Sequence, residues 1–482
     1  MAERSVNWRL SPEHAAQTQG LVVSGFGHLP YGRALLLHHE GEGNGWVRKI
    51  AEIAPPTPAD GKRLKRGSAI AFTHSGLQAM GITAAGPPAA PDPFVEGMFE
   101  TNRSRRLNDR RDGEWNGAVV PEGPHWSGNP GGAEQTPHTV HALLVLYAET
   151  EPDADAWTGE VEAALAPCGV SIVKTLPMEL RPDEKGIFRE HFGFADGISQ
   201  PIPYDATPDR TSSTVIGDDG EAFPEDPAHG VPLGEILFGH WNGHHEYAPG
   251  PALNGDTSLA LNGTYMAVRE YKQDVAAFWK SMEAGAAGIL AADPDADATA
   301  ENLAERVIGR TVDGAMLGPD GPLGQDDNDF MYFDRDPNGI GCPLGSHVRR
   351  GNPRDGLATK PEQKKTLLEA ANRHRILRRA RKFGRGLPRG APDDGEDRGL
   401  FFMALNTDIQ RQFEFVIQTW IMNPDFSTLY DEVDPLLGPG GPMSMRDRPL
   451  RRIVDVHTYV RLVGGEYFFV PSLPAFEWIA KQ

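Results

Sequence analysis

Along the first third of the chain, apolar residues come in short runs broken by glycine, proline or charge: LVVSG at 21–25, ALLLHH at 34–39, AIAFT at 69–73 and HALLVLYA at 141–148. Runs of this length with such boundaries predict buried strands. Between Asp155 and Pro167 the period changes, and Trp157, Val161, Ala164 and Leu165 recur at the spacing of an amphipathic helix. The alternation then returns. GTYMAVREY (263–271) predicts a strand, QDVAAFWKSMEAG (273–285) a helix and GLFFMAL (399–405) another strand. TDIQRQFEFVIQTWI follows, with Ile409, Phe413, Val416, Ile417 and Trp420 on one apolar stripe, and EYFFVPSL ends the pattern as a strand. Two successive groups of strands with interspersed helices predict an α+β chain of two similar halves, although no clean internal sequence repeat is visible. Polar, Pro/Gly-rich stretches at 84–93, 121–137, 205–234, 316–328, 384–398 and 436–448 predict loops, several of them longer than ordinary connections.

Composition narrows the function. A chain of 482 residues with 39% hydrophobic residues can bury a large core and is long enough for more than one domain. Its formal net charge of -20 argues against a general nucleic-acid binder, which needs a basic face. Two cysteines, Cys168 and Cys342, are too few for a disulfide scaffold and fit a reducing compartment. The start, MAERSVNWRL, has no basic region followed by an apolar core, and no run of 18 or more apolar residues follows, so a cytoplasmic protein without membrane contact is expected. The absence of Cys-x-x-Cys-His excludes covalent haem of the c type.

Three polar stretches carry candidate chemistry. In GFADGISQP (193–201) the single charge, Asp196, stands between Gly193 and Gly197. Glycine and aspartate together make an ordinary turn, but the same glycines would let a short carboxylate approach a ligand. In GCPLGSHVRRGNPRD (341–355), His347 is surrounded by Arg349, Arg350 and Arg354. This reads either as a basic surface turn or as a metal-binding imidazole beside arginines that hold carboxylates, the set that haem iron and its two propionates need. In HRILRRARKFG (374–384), Arg378 and Arg379 follow the apolar pair Ile376 and Leu377, either as snorkelling strand-end arginines or as a charge held in a dry pocket. Weaker signals are a calcium-loop start at DRDPNG (334–339), interrupted by Pro337 and lacking the final Glu, and a histidine group His240, His244 and His245 that reads as a solvated loop. Cys342-Pro343 offers a thiolate as a rival haem ligand.

Taken together and in this order, GFADGISQP, CPLGSHVRRGNPR, RILRRARKFG and GLFFMALNTDIQRQFEFVIQTWIMNP resemble the haem-containing dye-decolourising peroxidases. The resemblance extends through AFTHSGLQAMG, PFVEGMFETNR, HALLVLYA and LNGTYMAVREYKQDVAAFW, so it covers nearly the whole chain and is closest to the larger, intracellular-type members. It implies two ferredoxin-like halves, each an antiparallel sheet with packed helices, here expected at 1–190 and 191–482 with haem held mainly by the second. It also implies one haem b per chain and H2O2-driven, one-electron oxidation of bulky aromatic donors such as dyes and phenols, with an oligomer left open. Residue by residue, it makes His347 the iron ligand, Asp196 the distal acid/base and Arg378 the distal arginine. Arg349 and Arg354 match positions facing the propionates, while Phe194, Gly197, Leu400, Phe402 and Phe413 match the cofactor's surroundings. Asp408 and Glu414 are the candidates to bond the second nitrogen of His347. Two departures from the family pattern are Ser346, where alanine often precedes the histidine, and the polar insertion before Arg378, which leaves Arg379 as its competitor. An aspartate base, with an unperturbed pKa of about 3.9 against about 6.5 for histidine, predicts a preference for acidic solution. The rival functions on the same fold are a non-catalytic haem sensor or store, and an enzyme that releases haem iron.

Overall fold

The computed structural model describes residues 8–482 apart from 42, 86–91, 129–137, 208–212, 325–327 and 448–450, so parts of five of the six predicted loops lie outside the described residues. In the first half, strands Tyr31–His39, Arg66–Phe72, Ala142–Ala148 and Val170–Glu179 alternate with helices Gly45–Ile53 and Glu151–Leu165 as βαββαβ. All neighbours are antiparallel, in the order fourth, first, third, second. The second half repeats this arrangement. Strand Thr264–Gln273, helix Val275–Ala292, strand segments Leu377–Arg378 and Arg381–Phe383, strand Gly399–Asn406, the helix at 410–421 and strand Val460–Val470 follow one another, with the same spatial order. Each half is therefore ferredoxin-like, and the repeat is one of topology without a repeat of residues.

The two sheets join edge to edge. Met178 and Glu179 pair with Phe383 and Lys382, and Phe469 pairs with Phe72, which closes the eight principal strands into a barrel. Closure explains the unbroken apolar runs, because successive side chains point to opposite faces and both faces are covered. Leu36, Leu143, Val145, Val268, Met403 and Phe468 belong to one core inside the barrel. Leu35, Leu37, Leu144, Leu146 and Phe469 join the other, between the barrel's outer face and the helices carrying Trp46, Trp157 and Phe413.

One predicted strand is a helix instead. Leu21, Val22 and Val23 of LVVSG belong to a short helix, Gly20–Val23, and their carbonyls accept from the Arg379 guanidinium rather than from a strand partner. The predicted helix after GLFFMAL is present but wound wide, with the amide of Glu414 reaching the carbonyl of Ile409 and that of Met422 the carbonyl of Ile417, five residues back in each case. Such widened turns occur often beside functional sites. No helix among the described residues is long and apolar enough to cross a membrane.

Candidate active site

Between the outer face of the second sheet and the wide helix lies a cavity of about 310 Å³. Leu400 and Phe402 face it from one strand, and Phe413, Val416, Ile417 and Ile421 from the helix. Strand periodicity decides which arginine enters. Ile376, Arg378 and Ala380 line the cavity, whereas Leu377, Arg379 and Arg381 point the other way. Arg379 is engaged at residues 21–23, and Arg381 donates to the carbonyls of Phe26 and Leu29 and lies over the Tyr147 ring at 4.3 Å. The Arg378 guanidinium is braced by the carbonyl of Ile198 at 2.6 Å.

Asp196 also opens on this cavity. Gly193 and Gly197 adopt φ of 100° and 82°, which side-chain-bearing residues rarely take, so the stretch is a tight turn and also carries its carboxylate to the cavity wall. Phe192 and Phe194 anchor the turn, packing on Phe278 and Trp279 at ring distances of 4.4 and 6.4 Å. Glu190, which sequence reading passed over, lines the cavity as well. Its carboxylate accepts from the amides of Phe192 and Phe194 and from Gln273, and burial pushes it up to about 7 against the pull of those donors. The available sequence signal was an acid within four residues of a glycine-framed turn, the spacing at which a side chain caps backbone amides.

His347 begins the short helix His347–Gly351, lines the cavity and keeps 30% of its side-chain surface accessible. Its partner is neither Asp408 nor Glu414 but Asp434, whose Oδ2 lies 3.0 Å from Nδ1. Asp408 caps the amide of Arg411, while Glu414 is taken by Arg103 at 2.5 Å and the Tyr467 hydroxyl at 2.8 Å. Asp434 is fixed through its other oxygen by the amides of Leu436 and Leu437 at 2.9 and 2.8 Å. Burial alone would lower the imidazole pKa, but the adjacent carboxylate outweighs it and raises it. Because a carboxylate only accepts, the proton between them sits on Nδ1, which leaves Nε2 as the nitrogen available to a metal. Nothing local in the sequence links Asp434 to a histidine 87 residues earlier.

Arg349 corrects another expectation. It does not line the cavity; its Nη1 donates to the carbonyls of Asp336 and Cys342, and its guanidinium lies 4.3 Å from the Tyr332 ring centre. Arg354 does line it, together with Arg310 and Arg375, and the three converge on Ser199. Cys342 is fully buried away from the cavity, its thiol pKa pushed up by burial and its sulfur 3.2 Å from the Ser346 hydroxyl, so the thiolate-ligand alternative lacks its geometry. Ser346, the departure from alanine, serves that contact. The DRDPNG stretch ends the short helix Tyr332–Arg335 and then turns, with Asp336 accepting from the amides of Ile340, Gly341 and Cys342, and His240 bonds Asn262.

These residues fit a haem. Among the described residues no three His, Cys, Asp or Glu side chains cluster for a bare metal ion, so a metal held by His347 must bring most of its ligands with it. The apolar walls suit a flat macrocycle, and the three arginines suit its carboxylates. Among the described residues, the buried Oδ1 of Asn352 and Oε1 of Gln273, both on residues lining the cavity, find no hydrogen-bond partner, as expected where a further group belongs.

Comparison with known proteins agrees with this reading. The chain is 30% identical over 432 residues to a multifunctional dye peroxidase of an Amycolatopsis species, covering 84% of this chain and 80% of that one. The structure of an Anabaena DyP-type peroxidase superposes with a TM-score of 0.72 at 20% identity, over 97% of this chain and 95% of the other. A dye-decolorizing peroxidase solved with 2,6-dimethoxyphenol also gives 0.72, at 22% identity over 98% and 100% of the two chains. No family model matches the sequence. The chain belongs to the dye-decolourising peroxidases, a family of haem-dependent peroxidases, and is an enzyme of that class.

Proposed function

We propose that this peroxidase uses H2O2 to oxidise dyes and phenols in one-electron steps at a single haem b, with Asp196, Arg378 and His347 as its working residues. The reading rests on one observation above all: a carboxylate, a guanidinium and a carboxylate-supported imidazole, from three distant segments, open on a single cavity. His347 Nε2 would hold the iron, with Arg354 as the best-placed partner for a propionate and Leu400, Phe402, Phe413, Phe194 and Gly197 as walls. When bound, haem supplies the redox-active iron at which peroxide is reduced and the two oxidising equivalents are stored.

The chain's own groups manage the proton and the charge. The Asp196 carboxylate takes the proton of the incoming peroxide and returns it to the departing oxygen, which leaves as water. The Arg378 guanidinium, held by Ile198, offsets the negative charge that develops on that oxygen, and the apolar walls strengthen this by thinning the water around it. Asp434 keeps Nδ1 protonated and Nε2 aimed. With an aspartate rather than a histidine as the base, activity is expected to favour acid. We place the protein in the cytoplasm and divide the chain at 190/191, within the segment linking the fourth strand of the first half to the first of the second.

The test is the absorbance of the haem-loaded protein before and after one equivalent of H2O2, in wild type and in His347→Ala, Asp196→Asn and Arg378→Leu. A histidine-ligated ferric spectrum lost in the first variant, and a peroxide reaction slowed by roughly 10²- to 10⁴-fold in the second, are expected. Slow bleaching at one rate in all four proteins would turn the assignment toward haem sensing.

A further inference from the structure

Glu190 shares the cavity with Asp196 yet has no part in the chemistry above. Its Oε2 accepts from the Phe192 amide and from Gln273 Nε2, both at 2.8 Å, and its Oε1 accepts from the Phe194 amide at 2.9 Å. Its backbone closes the same loop, with its amide donating to the carbonyl of Phe194 and its carbonyl accepting from the amide of Gly193, each at 3.1 Å. The carboxylate therefore fills the inside of the loop 190–194, whose shape requires Gly193 at φ 100°. Asp196 follows two residues later, on a backbone tied in turn to the carbonyls of Val312 and Phe188. Gln273 carries the arrangement onto the barrel, since it ends the strand Thr264–Gln273.

We propose that Glu190 is the positioning residue for Asp196: it holds the loop that sets where the Asp196 carboxylate stands in the cavity, and it is itself set by Gln273. The inference rests on Asp196 being the proton-transferring group. Displacing a reacting group by about 1 Å can cost around a hundredfold in rate, so a loop held by three side-chain bonds is a sensitive place to perturb.

The decisive variant is Glu190→Gln, whose amide nitrogen must face at least one N–H donor that now meets an oxygen. In the haem-loaded enzyme the second-order rate constant with H2O2 should fall about 10- to 100-fold, while haem content and the donor KM stay within twofold of wild type. The double variant Glu190→Gln/Asp196→Asn should be no slower than Asp196→Asn alone, because two groups acting through one site are not additive. Independently of turnover, hydrogen exchange on the full chain, with and without haem, should speed up at the amides of Phe192 and Phe194. Gln273→Met, which removes one bond and leaves both backbone caps, should give a smaller loss with the same non-additivity. Losses that multiply in the double variant, or faster exchange with an unchanged peroxide rate, would overturn the proposal. If Asp196→Asn itself leaves the peroxide rate unchanged, the reading of Asp196 falls and this inference with it.

Discussion

Replacing Asp434 with asparagine is the most informative single change at the His347 side of the cavity. The carboxylate is fully buried, 3.0 Å from His347 Nδ1, and its pKa is lowered because the imidazole, the amide of Leu437 and the Arg350 charge together outweigh the cost of burial. Asparagine keeps the volume and one amide-accepting oxygen but removes the charge that lends the imidazole its basicity. Losing such a partner typically costs about 10- to 100-fold in metal affinity, or about 1.4 to 2.8 kcal/mol. If that loss falls on the ferric form, the conversion of about 59 mV per decade for one electron predicts a reduction potential raised by about 60 to 120 mV. A spectroelectrochemical titration of wild type and Asp434→Asn reads this directly. An unchanged or lowered potential, with haem content preserved, would mean that the carboxylate does not act on the iron through His347.

Two further outcomes are expected. Arg378→Leu should slow the peroxide reaction by about 10²- to 10³-fold without changing the donor KM, and stopped-flow mixing with H2O2 separates the two; a change confined to KM would place Arg378 in donor binding. Acid should also erode the fold. Burial lowers His191 to about 4 and His229 to about 3, so the folded chain keeps both neutral while the unfolded chain protonates them near 6.5. Their contribution is present above 6.5 and lost as pH falls through 4 and then 3, about 3 kcal/mol for His191. Glu190, raised to about 7, acts in the opposite sense, its stabilisation being full below 4.5 and lost as pH rises through 7. The two histidines outweigh it, so urea midpoints should fall from pH 7 to pH 4, and a flat profile would refute the argument.

Most strands, the two-part α+β organisation and the residues of the three polar motifs are legible in the chain itself, because strand burial and glycine-framed turns are local, periodic properties. The run LVVSG misled because an apolar segment of that length suits a buried strand or a buried helix, and only the carbonyl acceptors taken by Arg379 decide between them. Arg354 and Arg349 look alike in sequence, yet one lines the cavity and the other is spent on the carbonyls of Asp336 and Cys342. Asp434 lies 87 residues from His347 and carries no motif, so the pairing exists only once the chain has folded back. By itself, then, the sequence determined which chemical groups the enzyme carries and where its apolar strands and glycine-framed turns fall, while the choice between Arg378 and Arg379 came with the fold. Only the tertiary structure decided which carboxylate serves which group, since hydrogen-bond partnership depends on ångström-scale approach between distant segments, and residue order does not record that.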